Sequence, residues 1–343
     1  MITFRKVKFD ALKDIWNSFV LESGYHQPYQ EYELNNVIRN NYIFFTLKEF
    51  EIPVFYLFED EGKPICIAPM CVRLFDKNKR VSFGKAPTIP VKDFIYGKSM
   101  TIETMVICLK MLVDKFEQIR FYDVPTYSLL YKALESMTDS IKKHVYTSIY
   151  MGDGYEKYYE SLDKHMRQNI RTPYNRIIKD NVKLDMQIIK GANLDAETES
   201  EVNEVYLNRR ENHSKYDSLV HKLFLRKMHY FSIGLKKLDS GLFGILKING
   251  KVAAFWSGFK SIDGTYVSCP RLAINEDFKY YSPGILLLCE TAKLLYKDWN
   301  IKTLDLSRGN HEYKMRMGGA IITPLIISSR SELLDGSSTK LCA

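Results

Sequence analysis

Two stretches of this chain are laid out on the same plan, and that repetition constrains the fold more than any other feature. Glu61-Gly-Lys63 joins the apolar run Ile52–Phe58 to Ile65–Arg73, and Asn249-Gly-Lys251 joins Phe243–Ile248 to Val252–Lys260. Each reads as a β-hairpin with glycine in its turn. Gly62 and Gly250 lie 188 positions apart. Further on, Ile119-Arg-Phe-Tyr-Asp-Val124 matches Ile301-Lys-Thr-Leu-Asp-Leu306 at an offset of 182. A helical stretch precedes each of these strands, Thr101–Gln118 in one half and Pro283–Asn300 in the other. Two features in one order at nearly one offset argue for duplication. The expected fold class is α/β with a mixed sheet in each of two tandem domains, residues 1–150 and 151–330, followed by a tail over 331–343. The boundary is expected where Met151-Gly-Asp-Gly154 interrupts regular structure.

Other segments fit this plan. Leu12, Ile15, Trp16, Phe19 and Val20 form an apolar stripe at helical spacing. Val202, Val205 and Tyr206 do the same in a helix from about Ala196 to Glu211, and Leu223, Phe224, Met228 and Phe231 suggest another.

The halves differ where chemistry would sit. Arg271-Leu-Ala-Ile-Asn-Glu-Asp-Phe-Lys-Tyr-Tyr-Ser-Pro-Gly284 runs from an apolar strand through a polar loop into a helix. Ser282 can cap that helix, Pro283 suits its first turn, and Gly284 lets a ligand approach the backbone. An open helix N-terminus is a natural phosphate seat, since free N–H groups and the helix dipole both face the anion. The amides of Ser282, Pro283-Gly284, Ile285 and Leu286 are therefore read as the donor-binding turn. The first half has no Tyr-Ser-Pro-Gly before its helix, and is read as structural or acceptor-shaping.

Tyr281-Ser-Pro-Gly284, the amphipathic helix, the strand ending in Asp305, Arg308-Gly309 and Glu312-Tyr-Lys314 together resemble the CelD-like and FemAB-type N-acyltransferases of the GNAT superfamily. The resemblance is clearest from about Asp163 to Gly319. It implies tandem GNAT-like domains, acyl-CoA as co-substrate, and a splay between two parallel strands that admits the acyl arm beside Arg271. It also implies a small-molecule or cell-envelope amine as acceptor. The GNAT pyrophosphate loop has two closely spaced glycines; Asp277–Gly284 has one. Two alternatives stand beside acyl-CoA-dependent transfer: an aminoacyl transferase using aminoacyl-tRNA, and a degenerate fold kept as a binding module.

Amine acylation needs a held donor, a base for the amine proton and hydrogen-bond donors for the oxyanion. Asp305 and Glu312 are the candidate bases; Asp305 equally suits a cap on the next turn or a partner for Arg308. Arg308 can clamp a carboxylate or phosphate bidentately, with Lys314 nearby. Arg167 and Arg171, four apart on one helix face ahead of Pro173, are candidates for an anionic acceptor. Tyr216, after the polar run Asn208–Lys215, and Trp256, on a strand, are candidate pocket walls. Pro270 removes a ladder N–H and predicts a bulge beside Arg271.

Composition bounds the rest. The 343 residues carry a formal net charge of +8, which fits an anionic partner and ordinary solubility alike. Six cysteines stand at 66, 71, 108, 269, 289 and 342 without a CxxC pair. They read as reduced thiols of a cytoplasmic protein, and the resemblance implies a bacterial-type one. The polar start Met-Ile-Thr-Phe-Arg-Lys is unlike a secretory signal, and no apolar run approaches a membrane span. No Walker A, GxGxxG, GxSxG or HExxH pattern occurs, and the seven histidines lack ligand spacing. No metal site is expected, and nucleic acid enters only through the tRNA alternative.

Overall fold

The computed structural model describes residues 1–23, 27–45, 51–73, 80–83, 92–138, 141–213, 235–308, 312–318 and 320–329. The chain divides into two units, one holding Met1–Val145 with the chain from Ile322 and the other Tyr146–Ile321.

The first unit contains β1 (Ile2–Val7), β2 (Glu51–Asp60), β3 (Lys63–Arg73), β4 (Arg80–Ser82), β5 (Ile95–Tyr96), β6 (Gln118–Phe121) and, from the far end of the chain, β13 (Ala320–Ser329). Their order is β1-β2-β3-β4-β6-β13, with β5 on β3. The second contains β7 (Ile141–Tyr150) from Tyr146 onward, β8 (Leu184–Lys190), β9 (Gly241–Ile248), β10 (Lys251–Lys260), β11 (Tyr266–Ile274) and β12 (Thr303–Arg308), in the order β8-β9-β10-β11-β12-β7. Position for position the two orders are the same. In each, one neighbouring pair is parallel, β4 with β6 and β11 with β12, and the other pairs are antiparallel. The duplication read from the sequence is thus present in the topology.

The hairpins take the same turn. Glu61 and Gly62 have φ of 50° and 78°, and Asn249 and Gly250 have 50° and 82°. Two successive positive φ values are those of a type I′ turn, whose twist matches that of the strands it joins. Strand membership departs from the expected 150/151 division. β13 follows the second repeat in sequence, yet it pairs with β6 in the first unit, Ile326 opposite Phe121. Likewise β7 follows the first repeat, and its end pairs with β12 in the second, Ile149 opposite Leu304. A strand joins whichever edge offers it N–H and C=O partners; nearness in sequence does not decide it.

Alternation along the strands gives each sheet two apolar faces. In the first unit α3 (Ile102–Lys115) and α4 (Leu129–Met137) cover Tyr56, Phe58, Met70, Val81, Ile119 and Phe121. Their N-caps are Thr101 and Ser128, whose hydroxyls accept the Thr104 and Tyr131 N–H groups at 3.2 and 3.0 Å. The opposite face, with Phe55, Leu57 and Ile67, packs on Leu12, Trp16 and Val20 at α1 (Lys13–Glu22), and α2 (Tyr32–Phe45) follows. In the second unit α5 (Tyr155–Ser161), α6 (Lys164–Lys179) and α8 (Pro283–Trp299) lie over Leu246, Trp256, Val267, Leu304 and Leu306. The other face, with Phe243, Ile245 and Phe255, packs on Val202, Val205 and Tyr206 of α7 (Ala196–His213). The short α9 (Glu312–Gly318) comes between β12 and β13. The helix expected around Leu223–Phe231 lies outside the described residues.

Candidate functional site

The second unit's sheet opens at one place. β11 and β12 pair in parallel at Tyr266–Thr303, Val267–Leu304 and Ser268–Asp305, and there the pairing stops. β11 continues to Ile274 and β12 to Arg308, each on its outer neighbour: Arg271 of β11 faces Ser257 of β10, and Arg308 of β12 faces Tyr146 of β7. The strands therefore part into a fork. A bulge produces the divergence. The β10–β11 register shifts between Ser257 and Phe259, where Cys269-Pro270 is the extra length. Proline cannot donate to a ladder, so the slip falls where the sequence expects it. Gly258 lets the bulge seat: a Cβ there would lie 1.8 Å from the Ser268 carbonyl oxygen.

Asp305 closes the fork. Its Oδ2 accepts from Ser268 Oγ at 2.8 Å, across the last paired residues, and its Oδ1 accepts from the Ser307 N–H at 2.8 Å. The side chain is buried. Burial lifts its carboxyl above the ordinary range, while these hydrogen bonds, one with Tyr266, and the nearby Lys314 charge pull the other way. Of the roles open to Asp305, the structure shows the cap on the following turn.

Lys314 donates to the Leu306 carbonyl at 2.8 Å. Burial lowers its pKa; Asp305 opposes this and Arg209 adds to it. Arg271 lays its guanidinium 5.4 Å from the Tyr206 ring centroid. Asp305, Lys314, Arg209, Arg271 and Tyr206 thus gather around the fork. Arg209 and Tyr206 are not among the residues the sequence singles out for the site; both lie within the expected helix Ala196–Glu211, which runs on to His213. The signal was present: Val202, Val205, Tyr206 and Arg209 follow i, i+3, i+4, i+7, one face of one helix.

The entrance to α8 differs from the expected cap. Ser282 is left-handed, φ 48° and ψ 55°, and its side chain caps nothing. Its carbonyl instead accepts the Ile285 and Leu286 N–H groups at 3.0 and 3.3 Å, and its own N–H goes to Lys279. Of the expected turn 282–286, Pro283 has no N–H, so Gly284 supplies the amide not spent within the turn. Before it the short 3-10 helix Glu276–Tyr281 is held by the end of α6. Arg176 donates to the Tyr280 carbonyl and lies over its ring at 4.6 Å, and Tyr281 donates to Asp180 at 3.1 Å.

The remaining candidates separate. α6 runs through Pro173 to Lys179. Arg167 and Arg171 do share a face, but that face is turned to α5: Arg167 donates to the Glu160 carbonyl at 2.7 Å and Arg171 to the Tyr159 hydroxyl at 3.1 Å. Trp256 is corrected from pocket wall to core. It is fully buried, donates to Thr291 Oγ1 at 2.7 Å, and its indole fills the space a Cβ on Gly244 would take. Arg308 ends β12 and Glu312 opens α9. Tyr216 lies outside the described residues. Among the described residues no group of metal-binding side chains converges, and no helix is long and apolar enough to cross a membrane.

Residues 164–315 match the model of the acetyltransferase (GNAT) domain. That span contains α6, the fork, α8 and most of α9. The whole chain has the fold of tandem GNAT proteins. It is similar to the C-terminal domain of a putative lysylphosphatidylglycerol synthetase from Agrobacterium fabrum, at 9% identity over 97% of this chain and 95% of that one, with a TM-score of 0.57. FemX is similar at 10% identity, covering 94% and 95%, with a TM-score of 0.56. A tandem GNAT protein from the clavulanic acid biosynthesis pathway is similar at 8% identity, covering 96% and 99%, with a TM-score of 0.50. No curated protein matches the sequence.

Proposed function

We propose that this chain is an N-acyltransferase that moves an acyl group from acyl-CoA to an amine. The observation that carries the reading is the fork beside the N-terminus of α8. Below Ser268 and Asp305 the two parallel strands are closed; beyond them β11 presents an extended edge that β12 no longer covers. An extended amide-bearing arm can lie along such an edge as an added strand. Gly284 N–H and the dipole of α8 face the place for a phosphate. Acyl-CoA supplies an activated acyl carbonyl; the protein has to align it, accommodate the oxyanion and take up the amine proton.

Each residue then has a task. Asp305 holds the closed end of the fork, so it sets the distance between the strands and acts as a positioning residue. Glu312, at the start of α9, remains as candidate base. Lys314, Arg271 and Arg308 supply positive charge for an anionic acceptor or for the charge that develops on transfer. Tyr281, held through Asp180, fixes the approach to the Ser282–Leu286 turn.

One observation favours a second donor. A pyrophosphate is usually met by several backbone amides, and here the turn leaves Gly284 to provide one. Aminoacyl-tRNA would need no pyrophosphate seat, and the A. fabrum protein whose fold is similar is named a putative lysylphosphatidylglycerol synthetase. Titration calorimetry with acetyl-CoA, and a gel-shift assay with charged and uncharged tRNA, separate the two. Saturable heat with acetyl-CoA and no tRNA shift support the first. A shift by charged tRNA without acetyl-CoA binding moves the assignment to the second. Binding of neither overturns both.

A further inference from the structure

The first unit buries side-chain oxygens to which the fold brings no hydrogen. Asp93, shortly before β5, accepts the Phe94 N–H on Oδ1 at 2.8 Å, and the Ser128 hydroxyl at the start of α4 lies against its carboxyl. Its Oδ2 makes no hydrogen bond, and among the described residues no cation pairs with it. Gln30 ends the turn Pro28–Gln30, which is pinned by Trp16 Nε1 donating to the Gln30 carbonyl at 2.5 Å. The Gln30 side-chain amide donates to the Phe94 carbonyl at 3.3 Å. A carbonyl takes only the N–H end of an amide, so the direction of this side chain is fixed and its Oε1 is the end without a partner. Gln27, just before the same turn, donates to the Tyr127 hydroxyl at 2.7 Å, and its Oε1 is likewise without one. Asp93, Gln27 and Gln30 are only 2%, 4% and 5% exposed.

The three side chains belong to one cluster. Tyr96 of β5 accepts the Leu129 N–H at 3.3 Å and stands beside both Asp93 and Tyr127. Gln27 reaches Tyr127, and Gln30 reaches the residue after Asp93. A buried acceptor without a donor costs stability, and natural folds keep few of them. Each unpartnered atom here is an acceptor, and one belongs to a carboxyl. Burial keeps the neighbouring Cys66 and Tyr96 neutral, so they add no charge of their own. The complement of such a set is a compact cation that carries donors and no acceptor. A primary ammonium has three N–H donors and no acceptor, whereas a guanidinium has five spread over a rigid plane. Burial lifts the Asp93 carboxyl well above its ordinary range, and a cation beside it would bring it back. Tyr127 is 45% exposed, so the cluster reaches solvent through a side chain that can swing aside.

We infer that this cluster is a binding site for the primary ammonium group of a ligand, separate from the fork. It rests on the first unit's own residues and holds whichever donor the second unit uses.

The test is calorimetry and thermal shift with the chlorides of ammonium, methylammonium and potassium. Ionic strength is held constant with tetramethylammonium chloride, a cation without N–H groups. No acyl donor is present, so the outcome is independent of the transfer reaction. Saturable binding of ammonium and methylammonium, with a rise in Tm and no such effect of potassium, is expected. Tighter binding of methylammonium would identify a ligand-borne group, and equal binding a site for the free ion. Asp93→Asn keeps an acceptor for the Phe94 N–H and removes the charge, so it should weaken methylammonium about ten- to a hundredfold. If that variant does not fold, Gln27→Met removes one acceptor at nearly unchanged size and should weaken methylammonium about tenfold. Absence of saturable binding by either amine, potassium binding as tight as methylammonium, or unchanged methylammonium affinity in the folded variant would overturn the assignment.

Discussion

Replacing Asp305 distinguishes a structural clamp from a catalytic base. In the wild type its carboxylate accepts from Ser268 Oγ and from the Ser307 N–H, both buried. Asp305→Ala removes the acceptor of both, and of the Tyr266 side chain, at once. An orphaned buried donor costs about 1–3 kcal/mol. The Ser268 hydroxyl can turn elsewhere while the Ser307 amide cannot, so a total of roughly 3 kcal/mol is expected. Relief of the buried charge offsets part of it. For a unit of this size each kcal/mol moves Tm by about 2–4 °C, so the variant should melt about 6–12 °C lower by scanning calorimetry. Asp305→Asn is the control. Its Oδ1 can keep the Ser307 N–H while its amide donates to Ser268 Oγ, so it should melt no lower than wild type at neutral pH. A clamp predicts that Asp305→Asn also keeps turnover within a few-fold; a base predicts near-complete loss in a fully folded protein. If Asp305→Ala melts within 2 °C of wild type, the clamp reasoning fails, because the fork would then be held without it.

Three further outcomes follow from the same geometry. Burial raises the Asp305 pKa, so its contribution is full below the unfolded value and is lost as pH rises through the folded one; the Tm advantage of Asp305→Asn over wild type should be largest at neutral pH and shrink toward pH 4, and a gap that widens on acidification would contradict the burial argument. Gly258→Ala puts a Cβ 1.8 Å from the Ser268 carbonyl, which only a backbone shift relieves, so calorimetry should show a loss of about 3 kcal/mol; a wild-type Tm would mean that the bulge is not seated as described. At Gly284 a Cβ meets only Ile274 Cγ2, at 3.3 Å, so Gly284→Val should fold and lose acetyl-CoA affinity; unchanged affinity would remove the α8 turn from the donor site.

How much of this was legible in the sequence depended on whether local chemistry decided the outcome. The hairpins at Gly62 and Gly250, the helices after Thr101 and Ser282, and the bulge at Pro270 were all readable, because turn glycines, apolar periodicity and a missing N–H act within a few residues. The strand partners of β7 and β13 were not, because pairing across a sheet is settled by edges far away in the chain. Ser282 shows a subtler limit. Serine before Pro-Gly is a normal cap pattern, yet here the chain enters from a turn pinned by Arg176 and Asp180, and Ser282 takes a left-handed conformation that serves its carbonyl instead of its side chain. Trp256 was misplaced for a similar reason: alternation assigns a face, but only tertiary packing reveals that Thr291 waits there for the indole N–H. Asp305 was narrowed by neighbours, Ser268 and Ser307, that no spacing rule connects to it.

The two units share a strand order, and their differences are concentrated at equivalent places. In the first, β4 pairs with β6 along its whole length, and the Phe83 N–H extends the contact to the Arg120 carbonyl. Its helix α3 starts on Thr101, whose hydroxyl satisfies the first turn. In the second, β11 runs six residues past its last pairing with β12, and α8 starts on a left-handed serine that leaves the Gly284 amide unspent. A non-glycine residue in that conformation costs about 1–2 kcal/mol. Such a cost persists where the surrounding structure enforces it, and strained residues of this kind collect at functional sites. Had both copies been kept for one reaction, both helices would be expected to begin uncapped. A hydroxyl-capped helix in one unit and a left-handed, uncapped helix entry beside an open fork in the other fit a duplication whose copies came to differ where the α8 turn and the fork meet.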